Sequence, residues 1–330
     1  MLHSLLAVVF FVVAAGESGG TRIDRPDPVG TPTTVHYGMF LADVAAIDSA
    51  QQNFTADLAV VLRWRDPRLK KAGSGRRAME IKEIWHPGLY VLNQRNIDKM
   101  LEEMAEVEED GTVTFRQRYS GQFTSPIRVA DFPFDEHDFQ IRFISARQFG
   151  GELNFTNEVL KDRTGIADQL TVADWRVTSW RAGSEAYHPR LLTQSRDGVV
   201  FTFHAKRQSG FYVFKMLLPL GLIVFMSWVV FWVDPVRVDA QLGLAATAVL
   251  TMIAYRLSFD NLLPPVSYLT RIDYFLSGCT ALIFLSMFEV VFTGTLVSKN
   301  RPDLALRIDR WSRAIFPIVY ALLIVFTLFV

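Results

Sequence analysis

The sequence predicts an immunoglobulin-like β-sandwich followed by a bundle of four membrane-spanning helices. Three observations predict this β + α membrane protein. Segments with strand-like patterning fall within residues 33–206, long apolar runs occur only from residue 211 onward, and most charged residues lie within 21–210. With 330 residues, the chain is long enough for about two domains.

The β-forming segments of the first half are short and are separated by Gly, Pro and Asp. They lie at residues 35–41, 53–64, 111–119, 139–144 and 199–204. Within 111–119, apolar and polar side chains alternate with the two-residue period of a half-buried strand. The preceding Asp110-Gly111 pair is typical of a tight hairpin turn. Short strands with frequent turns favour a sandwich.

Four apolar segments of the second half are predicted to cross the membrane and to contact lipid. They cover about residues 211–233, 238–258, 274–298 and 314–330. A helix needs about 20 residues to cross a hydrocarbon core of about 30 Å. The second segment differs from the others because it is rich in Ala, Gly and Thr. The predicted domains are therefore 17–207 and 208–330.

The N-terminal segment predicts export of the first domain. Its apolar core, residues 5–15, ends in small residues and is too short to span a membrane, which is typical of a signal peptide covering 1–16. Residues 299–313, between the third and fourth apolar segments, carry five basic and two acidic residues, so this connection is expected to be cytoplasmic. Both features place the sandwich outside the cytoplasm.

Composition and motifs argue against several classes of function. The 34 basic and 34 acidic residues cancel, so the net charge gives no reason to expect nucleic acid. A single cysteine, Cys279, excludes an intrachain disulfide. The sequence contains no metalloprotease, nucleophile-elbow, phosphate-loop or paired Cys/His motif, so we expect neither an enzyme nor a cofactor. In the acidic run 135–138, which includes His137, neighbouring side chains alternate faces, which disfavours a metal site.

A motif with the letters FPFD lies at residues 132–135, between two β-forming segments. It resembles the signature loop of the Cys-loop receptors, and Ser125 and Phe139 stand where animal members have cysteines. Further similar segments follow in the family's order, at 64–66, 85–87 with Asn93, Arg207, 218–221 and 261–264. The chain is thus identified as similar to the prokaryotic pentameric ligand-gated ion channels that lack the cysteines. The resemblance implies a homopentamer in the bacterial inner membrane, with a central pore and ligand sites between neighbouring extracellular domains.

The second membrane segment has the pattern of a helix that lines a pore. Six residues recur at steps of four, three, four, three and four, which places them on one helix face: Gly243, Thr247, Leu250, Ala254, Leu257 and Asn261. Asp239, at the inner end of the segment, is also predicted to line the pore. An ordinary packed helix with small contact residues is the alternative. In a pentamer, the five copies of Asp239 would form a carboxylate ring that favours monovalent cations. Leu250 is predicted to form the hydrophobic gate, with Leu257 as the alternative ring.

The resemblance also implies a set of residues that couples the two domains. Asp48, Asp135 and Arg207 resemble the family's interface triad, and Pro264 lies in the similar segment after the second helix. Glu289 is an acidic residue within the third apolar segment, and the sequence gives it no assigned role.

The ligand site departs from the family pattern. Members that bind amines use an aromatic box, but Ala146, Ala59 and Leu92 stand at three of its positions. The remaining candidates for ligand contact are Tyr90, Arg147, Phe149 and Tyr187. An amine, another small molecule or protons could therefore be the agonist, and six histidines outside the membrane segments are available for proton sensing. A non-conducting membrane-anchored receptor is the alternative function.

Overall fold

The structure is a computed structural model that describes residues 24–188, 194–258 and 266–329. The predicted signal peptide, 1–16, and Pro264 lie outside these residues. Two β-sheets form the first half of the chain, and four long helices form the second, as the sequence predicts. The last strand ends at Arg207 and the first helix begins at Gly210, so the two halves are joined by two residues.

Twelve strands build the two sheets. Their bounds are β1 Thr33–Asp48, β2 Asn53–Arg65, β3 Arg77–Glu80, β4 Leu89–Val91, β5 Gln94–Lys99, β6 Met104–Val107, β7 Thr112–Thr124, β8 Glu136–Ser145, β9 Leu153–Thr156, β10 Gly165–Ile166, β11 Trp175–Tyr187 and β12 Arg196–Arg207. The larger sheet has the order β10-β1-β2-β7-β6-β3, with β9 also on β1 and β5 also on β7. The smaller sheet has the order β11-β12-β8-β4.

Aromatic side chains from both sheets fill the space between them. Residues along β2 alternate between buried and half-buried, so one face of the strand points into the core. Phe54 of β2 stacks on Phe123 of β7 at 5.3 Å between ring centroids. The same ring packs edge-on against Phe139 of β8 and Phe203 of β12, each at 5.4 Å. These contacts join the two sheets into one sandwich.

Four helices follow the sandwich, and each is long and apolar enough to cross a membrane. They are α1 Gly210–Trp232, α2 Val238–Leu257, α3 Arg271–Ser298 and α4 Pro302–Phe329. A capping box begins α3: the Thr270 hydroxyl accepts from the backbone N–H of Asp273, and the Asp273 carboxylate accepts from that of Thr270. The first three helices match the predicted segments to within three residues.

The fourth helix begins twelve residues earlier than predicted. The sequence predicts a cytoplasmic loop over 299–313, but only residues 299–301 separate α3 from α4. Ala305 and Asp309 are buried one turn apart, whereas Arg310 is exposed. This first part of α4 is an amphipathic helix, so a search for a continuous apolar run ends at the basic residues and misses it.

Candidate functional site: pore helix and domain interface

Asp239 and the five predicted residues from Gly243 to Leu257 lie on the exposed side of α2, and Asn261 lies outside the described residues. Leu250 and Leu257 are 67% and 65% exposed. The opposite face packs against the other helices and consists of Gln241, Ala245, Ala248, Val249 and Met252. Helix α2 therefore has one face committed to its own bundle and one face free for a pore or for neighbouring subunits.

The exposed face of α2 changes from polar to apolar along its length. Asp239 lies in the first turn, and the Thr247 hydroxyl donates to the carbonyl of Gly243 at 2.7 Å. That bond uses the hydroxyl proton and leaves oxygen lone pairs on the exposed side. From Leu250 onward the predicted positions carry only apolar side chains. The arrangement can coordinate hydrated cations near Asp239 and exclude water near Leu250.

The exposed arc is wider than the predicted stripe. Thr251 and Ile253 are also exposed, although the spacing argument does not select them. Residues on the flanks of a pore face contact neighbouring subunits in a ring, and these contacts do not follow from the periodicity of one helix.

A buried ion pair joins the signature loop to the last strand. The Arg207 Nε donates to Asp135 Oδ1 at 2.7 Å, and its Nη2 donates to Oδ2 at 3.0 Å. The two side chains are only 4% and 2% exposed. Burial raises the pKa of Asp135, but hydrogen bonds from His137 and Arg207 outweigh it and hold this pKa below its usual value. The pair is therefore ionised and held in a two-pronged geometry.

Aromatic rings surround the guanidinium of Arg207. It lies 4.2 Å from the ring centroid of Trp175 and 5.0 Å from that of Phe132. Tyr212, in the first turn of α1, lies 5.8 Å from the guanidinium and packs edge-on against Phe132. Arg207 thus contacts both the sandwich and the start of the membrane domain, which suits a coupling residue.

Asp48 is the third residue of the predicted coupling set, and its neighbour Ser49 contacts Arg207. Asp48 is exposed, and its carboxylate accepts from the backbone N–H of Gln51 at 2.9 Å. The Ser49 hydroxyl lies 2.8 Å from Arg207 Nη2. The turn after β1 uses the Asp48 carboxylate to close itself, and the role of Asp48 in coupling stays a prediction.

Two contacts between the domains are not among the predicted residues. The Arg271 Nε, at the start of α3, donates to Asp131 Oδ1 at 2.8 Å. Next to it, the backbone N–H of Val129 donates to the Tyr268 hydroxyl at 3.1 Å. A basic residue at the outer end of a membrane segment and an acidic residue beside the signature motif are the signals that could have paired Arg271 with Asp131.

The Asp135–Arg207 pair is expected to persist in mild acid. A carboxyl whose pKa is lowered by folding stabilises the protein above the unfolded value, about 3.9 for Asp, and loses this effect as the pH falls through the folded value. The Tm difference between wild type and Asp135→Asn should therefore not decrease from about pH 7 to about pH 5, and it should shrink below about pH 4. A difference that already shrinks between pH 7 and pH 5 would contradict the assignment.

Two cavities lined by described residues each include some of the four candidate ligand residues. Arg147 lines a cavity of about 280 Å³ with His86 and Tyr119, and both Arg147 and Phe149 line a second, more open one of about 860 Å³. Tyr90 is exposed on β4 and Tyr187 lies at the end of β11, outside both linings. Their convergence on a ligand remains a prediction.

In the smaller cavity, His86 is mostly buried and lies near the positive charge of Arg147. Burial and the nearby Arg147 lower the pKa of His86 to about 4, so this imidazole is neutral in mild acid. In the larger cavity, the ring of Phe149 is already covered on one face by the guanidinium of Arg196, 4.5 Å from its centroid.

No group of three or more His, Cys, Asp or Glu side chains suited to a metal ion occurs within 24–188, 194–258 or 266–329.

Comparison with known proteins identifies the family. Residues 21–209 match the model of the neurotransmitter-gated ion-channel ligand binding domain, and residues 216–303 match that of the neurotransmitter-gated ion-channel transmembrane region. The chain is 25% identical over 309 residues to a proton-gated ion channel of Gloeobacter violaceus, covering 92% of this chain and 85% of the relative. The chain therefore belongs to the neurotransmitter-gated ion-channel family, the pentameric ligand-gated channels, as a multi-pass membrane protein with an extracellular domain and not an enzyme.

Proposed function

We propose that five copies of this chain form a cation-selective channel whose pore is lined by α2. The observation that carries the proposal is the exposed face of this helix, which runs from Asp239 through Thr247 to Leu250 and Leu257. Leucines that are exposed in one subunit are shielded when five such faces meet around an axis. A helix that only anchored a receptor would need no polar entrance below an apolar ring.

The orientation of the channel follows from the same proposal. With residues 1–16 removed as a signal peptide and the domain of residues 17–207 exported, the N-terminal end of α2 faces the cytoplasm. Asp239 then lies at the inner mouth, and the apolar ring lies deeper in the membrane. A bacterial inner membrane location agrees with this topology. N-terminal sequencing of the purified protein tests the cleavage: the first residue is expected to follow residue 16.

Asp239 is expected to set cation selectivity. Five carboxylates at the inner mouth attract cations and repel anions. Asp239→Asn should therefore lower the sodium-to-chloride permeability ratio, measured as a reversal-potential shift under a salt gradient. The matched control is Asp234→Asn, because Asp234 is also exposed but caps the turn before α2 by accepting from the Val236 N–H at 3.0 Å. A wild-type reversal potential that follows chloride would refute selectivity for cations.

Protons are the agonist that we favour, and the proton-gated relative supports this choice. Two histidines outside the membrane already lie against carboxylates: His137 Nε2 is 3.0 Å from Asp135 Oδ2, and His204 Nδ1 is 2.8 Å from Asp138 Oδ1. Protonation would strengthen both contacts. An amine or another small molecule is the alternative agonist.

Acid steps from about pH 7.5 to about pH 5 should therefore evoke current in oocytes or liposomes. His86→Asn should leave the pH for half-maximal current unchanged, because His86 is neutral throughout this range. The variants His137→Gln and His204→Gln should shift it. Current that responds to amines but not to acid would reject protons as the agonist while keeping the channel.

A further inference from the structure

A buried polar cluster lies behind the inner end of α2. It consists of Gln241 on α2, Glu289 on α3, and Asp309 and Ser312 on α4. Gln241 and Asp309 are 0% exposed, and Glu289 is half-buried. Three different helices thus contribute polar side chains to one place in the membrane domain, where burial of such groups is costly.

The two carboxyl groups of the cluster lie near each other at the α3–α4 contact. The Ser312 side chain, which contacts Glu289, lies one helical turn after Asp309 on α4. Gln241 Nε2 lies 3.4 Å from Asp309 Oδ2, and the Ser312 hydroxyl lies 3.3 Å from Glu289 Oε1. Ionised carboxylates only accept hydrogen bonds, so two neighbouring carboxyl groups can bond to each other only when one of them carries a proton.

Neither carboxylate of the cluster has an ion-pair partner among the described residues. Besides Glu289, the charged groups that act on Asp309 are Arg313 on α4 and Asp234 in the turn before α2. The Arg313 Nε donates to the carbonyl of Phe231 at 2.9 Å, and its guanidinium covers the ring of Trp232 at 4.7 Å. No Lys or Arg nitrogen within 24–188, 194–258 or 266–329 forms an ion pair with either carboxylate. Two adjacent negative charges in this environment would repel each other strongly.

Three oxygen atoms of the cluster have no hydrogen-bond partner in the described part of the chain. They are Gln241 Oε1, Glu289 Oε2 and Asp309 Oδ1. Gln241 is fully buried and is directed at Asp309 through its amide nitrogen. The cluster therefore has more acceptors than donors, and an additional proton is the smallest ligand that reduces this excess.

We infer that Glu289 and Asp309 share one proton and form a titratable site that couples cytoplasmic pH to the pore helix. Loss of the proton leaves two carboxylates facing each other and drives α3 and α4 apart. Asp309 contacts Gln241, which lies two residues after Asp239 on the buried face of α2. Separation of α3 and α4 therefore changes the position of α2 at the inner mouth of the pore. The effect of this site on current rests on the proposed channel function, whereas the presence of the shared proton does not.

Infrared titration of the purified full-length protein in lipid nanodiscs tests the proton directly. Wild type should show a protonated-carboxyl C=O band at neutral pH that disappears in alkaline buffer. Glu289→Gln and Asp309→Asn should each remove it, whereas Asp303→Asn, which changes an exposed acid at the start of α4, should keep it. Should a single variant not assemble, the double variant replaces it, because its two amides can hydrogen-bond to each other. Absence of the band in wild type, or its persistence in both single variants, would overturn the inference.

Inside-out patches test the coupling. Raising the cytoplasmic pH should change the wild-type open probability by about fivefold or more, the usual lower range of coupling between two sites. The response should be lost in Glu289→Gln and retained in Asp303→Asn. An unchanged response in Glu289→Gln would refute the coupling. A wild type that shows the infrared band but carries no current would refute the channel proposal and leave the proton site intact.

Discussion

Leu250→Thr is expected to open the channel without agonist or to raise its agonist sensitivity strongly. In the proposed pentamer, five copies of Leu250 meet at the axis and form a ring that water leaves, so an ion there loses hydration without a polar replacement. Burial of each leucine stabilises the closed state by up to ~2 kcal/mol. Threonine removes part of this term in all five subunits and adds five hydroxyl groups. Macroscopic or single-channel current at resting pH measures the effect.

Leu257→Thr is the matched control for the gate. Leu257 lies two turns further along the same face and is equally exposed in one subunit, at 65% against 67% for Leu250. If Leu257→Thr opens spontaneously while Leu250→Thr gates as wild type does, the gate lies at Leu257 and the assignment to Leu250 is wrong.

Arg207→Ala is expected to abolish assembly or gating. Removal of the guanidinium leaves the Asp135 carboxylate buried without its main partner, and breaking a buried ion pair costs about 3–5 kcal/mol. The substitution also removes the cation that contacts Trp175 and Tyr212 across the domain junction. Size-exclusion chromatography should show less pentamer, and pentamers that form should carry little agonist-evoked current.

Lys206→Ala provides the comparison for Arg207. Lys206 is the preceding residue on β12, is mostly exposed and approaches Glu136 only at 4.0 Å. A surface pair of this kind contributes about 0–1 kcal/mol, so this variant should resemble wild type. Wild-type assembly and current in Arg207→Ala would reject the role of the buried pair in coupling.

Periodicity predicts the central strands and three of the four helices, because their burial is regular. Strand β2 alternates from Phe54 to Trp64, and α2 has a distinct exposed face. The edge strand β11 is not predicted, because most of its residues are exposed and its apolar pattern is weak. Local sequence patterns reflect the burial of side chains, so they do not predict a strand whose side chains are mostly exposed.

The sequence locates a contact at the domain junction better than it locates a ligand site, and the roles of both sets of residues stay predictions. Asp135 and Arg207 meet as expected, because the signature motif fixes one and the end of the last strand fixes the other. Ser49, next to Asp48, contacts Arg207, and a shift of one residue in a turn is not visible in spacing. The ligand candidates depend on loops and on a neighbouring subunit, which one chain's sequence does not position.

The contact of Glu289 with α4 could not be predicted from the sequence. The sequence marks Glu289 as an unexplained acid, but Asp309 lies 20 residues later in a segment predicted to be a loop. Only the earlier start of α4 brings Asp309 into the helix bundle and next to Glu289. An error in one helix boundary therefore hides a contact between two helices.

Cysteine accessibility along α2 tests the pore assignment most directly. Thr247→Cys and Ala248→Cys are adjacent, but the first lies on the exposed face and the second is 0% exposed. The natural Cys279 is buried, so the background reaction should be low. A cationic thiol reagent applied to open channels should block current through Thr247→Cys and leave Ala248→Cys unaffected. Block of Ala248→Cys with no effect on Thr247→Cys would contradict a pore lined by this face.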